Sequence, residues 1–282
     1  MSAAPIGVYD SGFGGLTVLR ALRAALPTHD FLYLGDSGRA PYGGRDVHDV
    51  LDLAEQCTEH LLASGCGLVV VACHTVSSVA LRHLQRRYGG AERRVLGVTI
   101  PAAEAAVGVT RGRIGLLGTA RTVGSGTFST EVHKLATVEV VERPAALLAP
   151  IVEEGWEDTD VARAAVSRYL HTLGEVDTVV LGCTHYPLLR RAFEAALAPD
   201  ITLLDPAPFV AERLVDWLSR HPGFAPPGAG RLVARSTGDP IRFAQLGARF
   251  LGEPVPTVEF LAERGGQLVW AEPGGPRGQV VR

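Results

Sequence analysis

The chain has 282 residues, 46% of them hydrophobic and 20% charged, with a net charge of −3 when histidine is neutral. This is the composition of an ordinary soluble globule of one large or two smaller domains, long enough to bury a core without disulfide staples. Weak net acidity excludes a broad basic face for nucleic acid, and no apolar run approaches the ~18 residues of a membrane span.

Read in chain order, short apolar runs occur at residues 6–9, 31–34, 68–72, 95–100, 114–117, 138–141, 178–181 and 201–204. Each is rich in Val, Ile and Leu and continuous rather than alternating, the pattern of strands buried on both faces of a parallel sheet. Helical periodicity lies between them, clearest at 47–63, 161–173 and 208–218. Alternating strands and helices predict an α/β fold of parallel sheets covered by helices. The segment PGFAPPGAG at 222–230 is a turn-rich loop, and the Gly- and Pro-rich stretch from Gly265 onward is expected to trail over a surface without regular structure.

The sequence repeats itself. IGVYDSGFGG at 6–15 parallels IGLLGTARTVG at 114–124, and DFLYLGD at 30–36 parallels VEVVERP at 138–144, both at an offset of 108. VVVACHT at 69–75 parallels VVLGCTH at 179–185 at an offset of 110, and VLGVTIPA at 95–102 parallels ITLLDPAP at 201–208 at 106. Near-constant offsets predict two similar parallel-sheet domains derived by duplication and related by a pseudo-twofold; if the two face one another, the active site lies in the cleft between them. The expected division is 1–98 plus 208–262 for the first domain, 99–207 for the second and 263–282 for a C-terminal tail.

Open parallel sheets bind ligands at the carboxyl ends of their strands, so chemistry is sought there. The first strand runs into Asp10-Ser11-Gly12-Phe13-Gly14-Gly15, the third into Cys73-His74-Thr75, and the third strand of the second half into Cys183-Thr184-His185. SGFGG lacks the spacing of a dinucleotide or P-loop fingerprint, so its glycines are read as letting the backbone approach a small ligand. The four cysteines match no CxxC zinc pattern. A leading segment that carries Asp10 and no basic cluster is read as cytosolic, where structural disulfides are rare. Cys57 and Cys66 fall in and just beyond a helical pattern and read as packing. Cys73 and Cys183 occupy equivalent strand ends, each with polar successors. Two opposed thiols serve either disulfide redox chemistry or proton transfer on both faces of one carbon. His74 and His185 lie close enough in sequence to tune them. Asp10 is placed to face an ammonium or orient a base, and helix N-termini supply N–H groups for a carboxylate.

At these residues the chain resembles the glutamate racemases of the aspartate/glutamate racemase superfamily. The resemblance rests on DSGFGGLTV at 10–18, YLGDSGRAPYG at 33–43, ACHT at 72–75 and GCTHYPLL at 182–189. Weaker matches are APIVEEG at 149–155, LLDPA at 203–207 and STGDPIRFAQLGARFLG at 236–252. The resemblance implies that Cys73 and Cys183 are the catalytic acid/base thiols, with Cys73 working on the D-enantiomer and Cys183 on the L-enantiomer. It further implies that Asp10 and His185 assist them. Asp36 and Glu153 match acidic residues near the cleft. Asp10, Ser11, Pro41, Tyr42, Gly43, His74, Thr75, Thr184 and His185 occupy substrate-binding positions. No cofactor and no metal are implied. The implied partners are the small-molecule substrate glutamate and a second copy of the chain in a homodimer, with no nucleic acid and no membrane. The implied role is supply of D-glutamate for peptidoglycan in the cytoplasm.

One position departs from the family motif: ACNT reads ACHT here, with His74 in place of an asparagine that contacts substrate. The chain contains no asparagine at all, so the histidine is open to two readings, a tolerated replacement or a change of substrate. Besides glutamate racemisation, two readings stand: a racemase for aspartate or a related acid, and a weakly active or non-enzymatic amino-acid-binding regulatory protein that keeps the cleft.

Overall fold

Residues 4–271 are described by a computed structural model. The first half alternates β1 (Ile6–Asp10), α1 (Leu16–Ala25), β2 (Phe31–Gly35), α2 (Val47–Ala63), β3 (Leu68–Val71), α3 (His74–Val79), α4 (Leu81–Tyr88), β4 (Arg94–Gly97) and α5 (Thr99–Val109). The second half follows with β5 (Arg113–Gly118), α6 (Ala120–Gly124), α7 (Thr127–His133), β6 (Glu139–Pro144), α8 (Leu148–Glu153), α9 (Asp160–His171), β7 (Thr178–Gly182), α10 (Arg190–Ala196) and β8 (Thr202–Leu204). The chain then forms α11 (Ala207–Arg220), β9 (Leu232–Ser236), α12 (Pro240–Leu251), β10 (Val258–Arg264) and β11 (Gln267–Trp270).

Two sheets result. The larger has the order β11-β10-β9-β2-β1-β3-β4, the smaller β6-β5-β7-β8. Every pairing is parallel except β10 with β11. The 2-1-3-4 order of the first four strands recurs as 6-5-7-8, so the sequence repeat is also a repeat of topology. In register, Asp10 pairs with Gly35 and Gly118 with Gly182, so the central strands of each sheet end level with one another. β1, β2, β3 and β7 are buried throughout, as their unbroken apolar sequences require, while the edge strands β6 and β8 are partly exposed.

The helices carry their own start and stop signals. Asp46 accepts from the His48 N–H to cap α2, and Thr159 accepts from the Ala162 N–H to cap α9. Asp239 caps α12 ahead of Pro240, and that helix stops on Gly252 at φ 81°. Phe243 of α12 is fully buried against Phe13 and Tyr33. This packing ties the segment after the second half back onto the first sheet, as does packing of α11 on α1.

Three expectations are corrected. The apolar run 95–100 is not one strand: β4 stops at Gly97 and α5 begins at Thr99. The Ser77 hydroxyl accepts from the N–H groups of Val98 and Thr99 at 3.1 and 3.2 Å, satisfying donors that a helix start leaves free. Residues 263–270 are not a trailing tail. They complete β10 and form β11, a hairpin closed by Gly265 and Gly266, both at positive φ, on the edge of the large sheet. A Gly-Gly pair between two apolar stretches is itself a hairpin signal. The rest of the expected tail, 272–282, lies outside the described residues. The strand at 232–236 was not anticipated either, because LVARS is short and carries a charge.

Candidate active site

The chemistry-bearing residues follow the ends of β1, β2, β3 and β7, where the sheets hand over to helices. Asp10 ends β1 and is 1% exposed. Its carboxylate accepts from the Gly12 N–H at 2.8 Å and lies 3.5 Å from the Thr184 hydroxyl of the other half. Burial raises its pKa, opposed by His185 and by the hydrogen bonds it accepts. The glycines after it are required by close approach. A Cβ on Gly14 would lie 2.6 Å from Nδ1 of His185, and one on Gly15 would overlap Asp10. The Thr17 hydroxyl donates across the cleft to the Thr184 carbonyl at 3.2 Å.

The loop after β2 is built on Asp36, which is completely buried. Arg39 donates to both its oxygens at 2.8 and 2.9 Å, Thr237 donates at 2.6 Å, and the Tyr42 hydroxyl donates as well. This holds Ala40, Pro41, Tyr42 and Gly43 against the cavity. Across the cleft, the Arg121 N–H donates to the Gly43 carbonyl at 2.9 Å and the Arg121 guanidinium to the Arg45 carbonyl at 2.7 Å.

Cys73 follows β3, buried, with its sulfur 3.4 Å from the Ser11 hydroxyl. Burial and the Asp10 charge push its thiol up to about 12, so it is protonated at neutral pH. His74 opens α3, 6% exposed, and burial pushes its imidazole down to about 4, so it is neutral. The Thr75 and Thr119 hydroxyls bond across the cleft at 2.9 Å.

Cys183 follows β7. Nδ1 of His185 lies 3.8 Å from its sulfur, and Nε2 lies 2.9 Å from the Glu153 carboxylate on α8. Burial opposes a charge on His185, but Cys183 and Glu153 outweigh it and bring the imidazole up to about 10. Glu153 is lowered in return, chiefly by its hydrogen bond with His185. The His185 ring stands edge-on to Phe250, which fixes its plane.

One cavity of about 240 Å³ is lined by Ser11, Pro41, Tyr42, Gly43, Cys73, His74, Thr75, Glu153, Cys183, Thr184 and His185. This is below the ~300–1,000 Å³ of sites for drug-sized molecules and fits a smaller metabolite. Both thiols and both flanking histidines therefore open onto one space. Asp10 and Asp36 do not line it: Asp10 lies behind Cys73 and Thr184, and Asp36 behind the loop it anchors. Sequence reasoning missed Thr119, which lines the cavity and receives the Thr75 bond. The repeat offset of 108 that pairs Asp10 with Gly118 also pairs Ser11 with Thr119 and was the available signal. Cys57 and Cys66 lie outside the cavity, both buried. Among the described residues, no helix is long and apolar enough to cross a membrane.

A family model described as Asp/Glu/Hydantoin racemase matches residues 16–214. A glutamate racemase of Chlorobaculum parvum is 39% identical over 265 residues, which cover 92% of this chain and 97% of that protein. The crystal structure of glutamate racemase from Thermus thermophilus in complex with β-chloro-D-alanine has a TM-score of 0.83 and 41% identity, covering 92% of this chain and 97% of that one. That of glutamate racemase from Francisella tularensis in complex with D-glutamate has a TM-score of 0.85 and 26% identity, covering 93% and 98%.

Proposed function

The chain belongs to the Asp/Glu/hydantoin racemase family, and we propose on that premise that it interconverts L- and D-glutamate by passing the Cα proton between two thiols. It is an amino-acid racemase, an isomerase. The observation that carries the thiol assignment is the opening of Cys73 and Cys183, each at the end of the third strand of a repeated half, onto one small cavity.

In the L-to-D direction, the Cys183 thiolate removes the Cα proton and becomes a thiol. The electron pair is held on the carboxylate-stabilised carbon, and the Cys73 thiol delivers a proton to the opposite face. The product has inverted, and the two sulfurs have exchanged protonation states. In the reverse direction the roles swap, so Cys73 serves the D-enantiomer. Cys73 being a thiol at neutral pH suits it as the first donor, and a charged His185 stands 3.8 Å from the Cys183 sulfur. Ser11 and Asp10 support the Cys73 side, and His185 with Glu153 the other. Pro41, Tyr42, Gly43, His74, Thr75 and Thr184 hold the substrate's polar groups. Every proton carrier in this scheme is a side chain of the protein, so it requires no cofactor. D-Glutamate made this way serves peptidoglycan synthesis in the cytoplasm, and the working form is a homodimer. The cleft divides a domain of residues 1–98 and 208–262, with the hairpin that ends at Trp270 on its sheet edge, from one of residues 99–207.

The test is incubation of the purified protein with L- or D-glutamate in D2O. The inverted product carries solvent deuterium at Cα. Cys73→Ala and Cys183→Ala each lower racemisation to or beyond the upper end of the ~10²–10⁴-fold typical of a lost acid/base group, because inversion has no alternative route. Each variant retains Cα exchange with one enantiomer only. A folded protein that neither exchanges nor inverts glutamate overturns the reading.

A further inference from the structure

Glutamate brings two carboxylates and one ammonium to its site, so a buried site for it needs positive charge or an equivalent set of donors. Among the described residues, those lining the cavity include no arginine and no lysine. Their basic groups are His185 and His74. His185 is committed, with one ring nitrogen on Glu153 and the other beside Cys183. His74 is not: among the described residues neither of its ring nitrogens has a hydrogen-bond partner, although the residue is 94% buried and lines the cavity. An imidazole left unpartnered in that position is a polar group kept for a ligand.

We propose that His74 binds one carboxylate of glutamate as an imidazolium, so that substrate binding takes up a proton from solvent and weakens as pH rises. The proposal rests on glutamate being the substrate. The empty site holds His74 neutral through burial alone. An adjacent carboxylate reverses that preference, because an opposite charge within a few ångströms favours the charged ring. The protonation energy is then drawn only when substrate is present, and the empty cavity carries no unpaired charge.

The other ionisable groups around the cavity leave this assignment intact. Cys73, Cys183, His185, Glu153 and Tyr42 share the wall. Of the charged groups on the helices packed against α3, Glu55 of α2 pairs with His83 of α4, Arg82 of α4 with Glu131 of α7, Glu104 of α5 with Arg213, and Arg121 of α6 donates to the Arg45 carbonyl, while Asp49 and Asp52 of α2 and Arg86 of α4 are exposed. Cys57 of α2 contacts Arg39 at 3.6 Å. None of these groups contributes to the shift at His74.

The experiment titrates racemic glutamate, so that turnover produces no net change, into the full-length protein by calorimetry between pH 6 and 7.5 in buffers of different ionisation heat. Wild type takes up close to one proton, and its Kd rises by up to about tenfold per pH unit, as one linked proton requires. His74→Asn and His74→Gln take up less by that proton, and their Kd stays within about twofold over the same range. Asp10 and the thiols are common to all three proteins, so the difference isolates the imidazole. Independently, ring signals of isotope-labelled histidine, assigned by the Gln variant, show His74 neutral in the free protein and charged when glutamate saturates it. Equal proton uptake by wild type and variants, or a His74 ring that stays neutral in the complex, overturns the proposal while glutamate racemisation stands. Absence of both glutamate binding and Cα exchange in folded wild type overturns the functional reading and this proposal with it.

Discussion

Cys73 and Cys183 share a topological position but not a microenvironment. Cys73 is buried with a carboxylate behind it, both of which suit a thiol at rest, and the Ser11 hydroxyl 3.4 Å away opposes them only in part. Cys183 has an imidazole at 3.8 Å, itself tied at 2.9 Å to Glu153. The duplicated halves thus supply the same atom twice and then diverge in what surrounds it. Glu153→Gln removes a charge that raises the His185 pKa, so the ring loses its proton at lower pH. If the charged ring assists proton transfer at Cys183, activity is lost as pH rises through the His185 pKa. The alkaline limb of kcat/KM for L-glutamate therefore moves to lower pH in the variant. The loss at neutral pH falls short of the ~10²–10⁴-fold expected for removing an acid/base group outright. A pH–rate profile measured with each enantiomer checks this, and an unmoved limb would detach Glu153 from the chemistry.

At the scale of elements, the loop between β2 and α2 is a wall of the cavity and owes its shape to Asp36. Four hydrogen bonds from Arg39, Tyr42 and Thr237 converge on that buried carboxylate, two of them from one guanidinium. Thr237 comes from the turn after β9, some 200 residues away in sequence, which gives the late STGDP motif a structural reason. Asp36→Ala leaves Arg39 without its countercharge and is expected to cost about 3 kcal/mol of stability. It also raises KM for glutamate more than it lowers kcat, because in the proposed scheme the loop, which lines the cavity, holds substrate and carries no proton. Urea unfolding and steady-state kinetics on one preparation test both parts. Gly14 poses the opposite problem. It sits so near Thr184 and His185 that Gly14→Ala must displace them, and kcat falls by 10-fold or more, about 1.4 kcal/mol of transition-state stabilisation, with the fold retained. Circular dichroism beside an activity assay separates displacement from unfolding.

At the scale of the whole molecule, three buried thiols give the fold a shared pH dependence. Burial raises Cys66 and Cys73 from 9.0 to about 12, and it raises Cys57 as well. Folded protein keeps these protons where the unfolded chain releases them, so stability is full below about pH 9 and declines as pH rises toward about 12. Cys66 packs under Gly7 of β1, outside the cavity, so Cys66→Ala reports on this effect without touching the site. Its unfolding midpoint under reducing conditions is lower than wild type at pH 8 but falls less steeply between pH 9 and 11. Parallel slopes for the two proteins would refute the account.

The sequence alone determined the α/β class, the positions of the first eight strands and the duplication. Buried parallel strands are written as continuous apolar runs, and copied halves keep their spacing. The resemblance located Cys73 and Cys183, and the strand-end rule explained why they lie where they do. It did not reveal that Asp10 and Asp36 stand behind the cavity, that Thr119 lines it, or that residues 258–270 end in a hairpin on the sheet edge. Nor did it reveal that, among the described residues, His74 is left without a hydrogen-bond partner while His185 has two. Those features arise where loops from different strands and both halves meet. Burial, hydrogen-bond partners and the charge a ring carries are properties of that three-dimensional neighbourhood, which local periodicity does not encode.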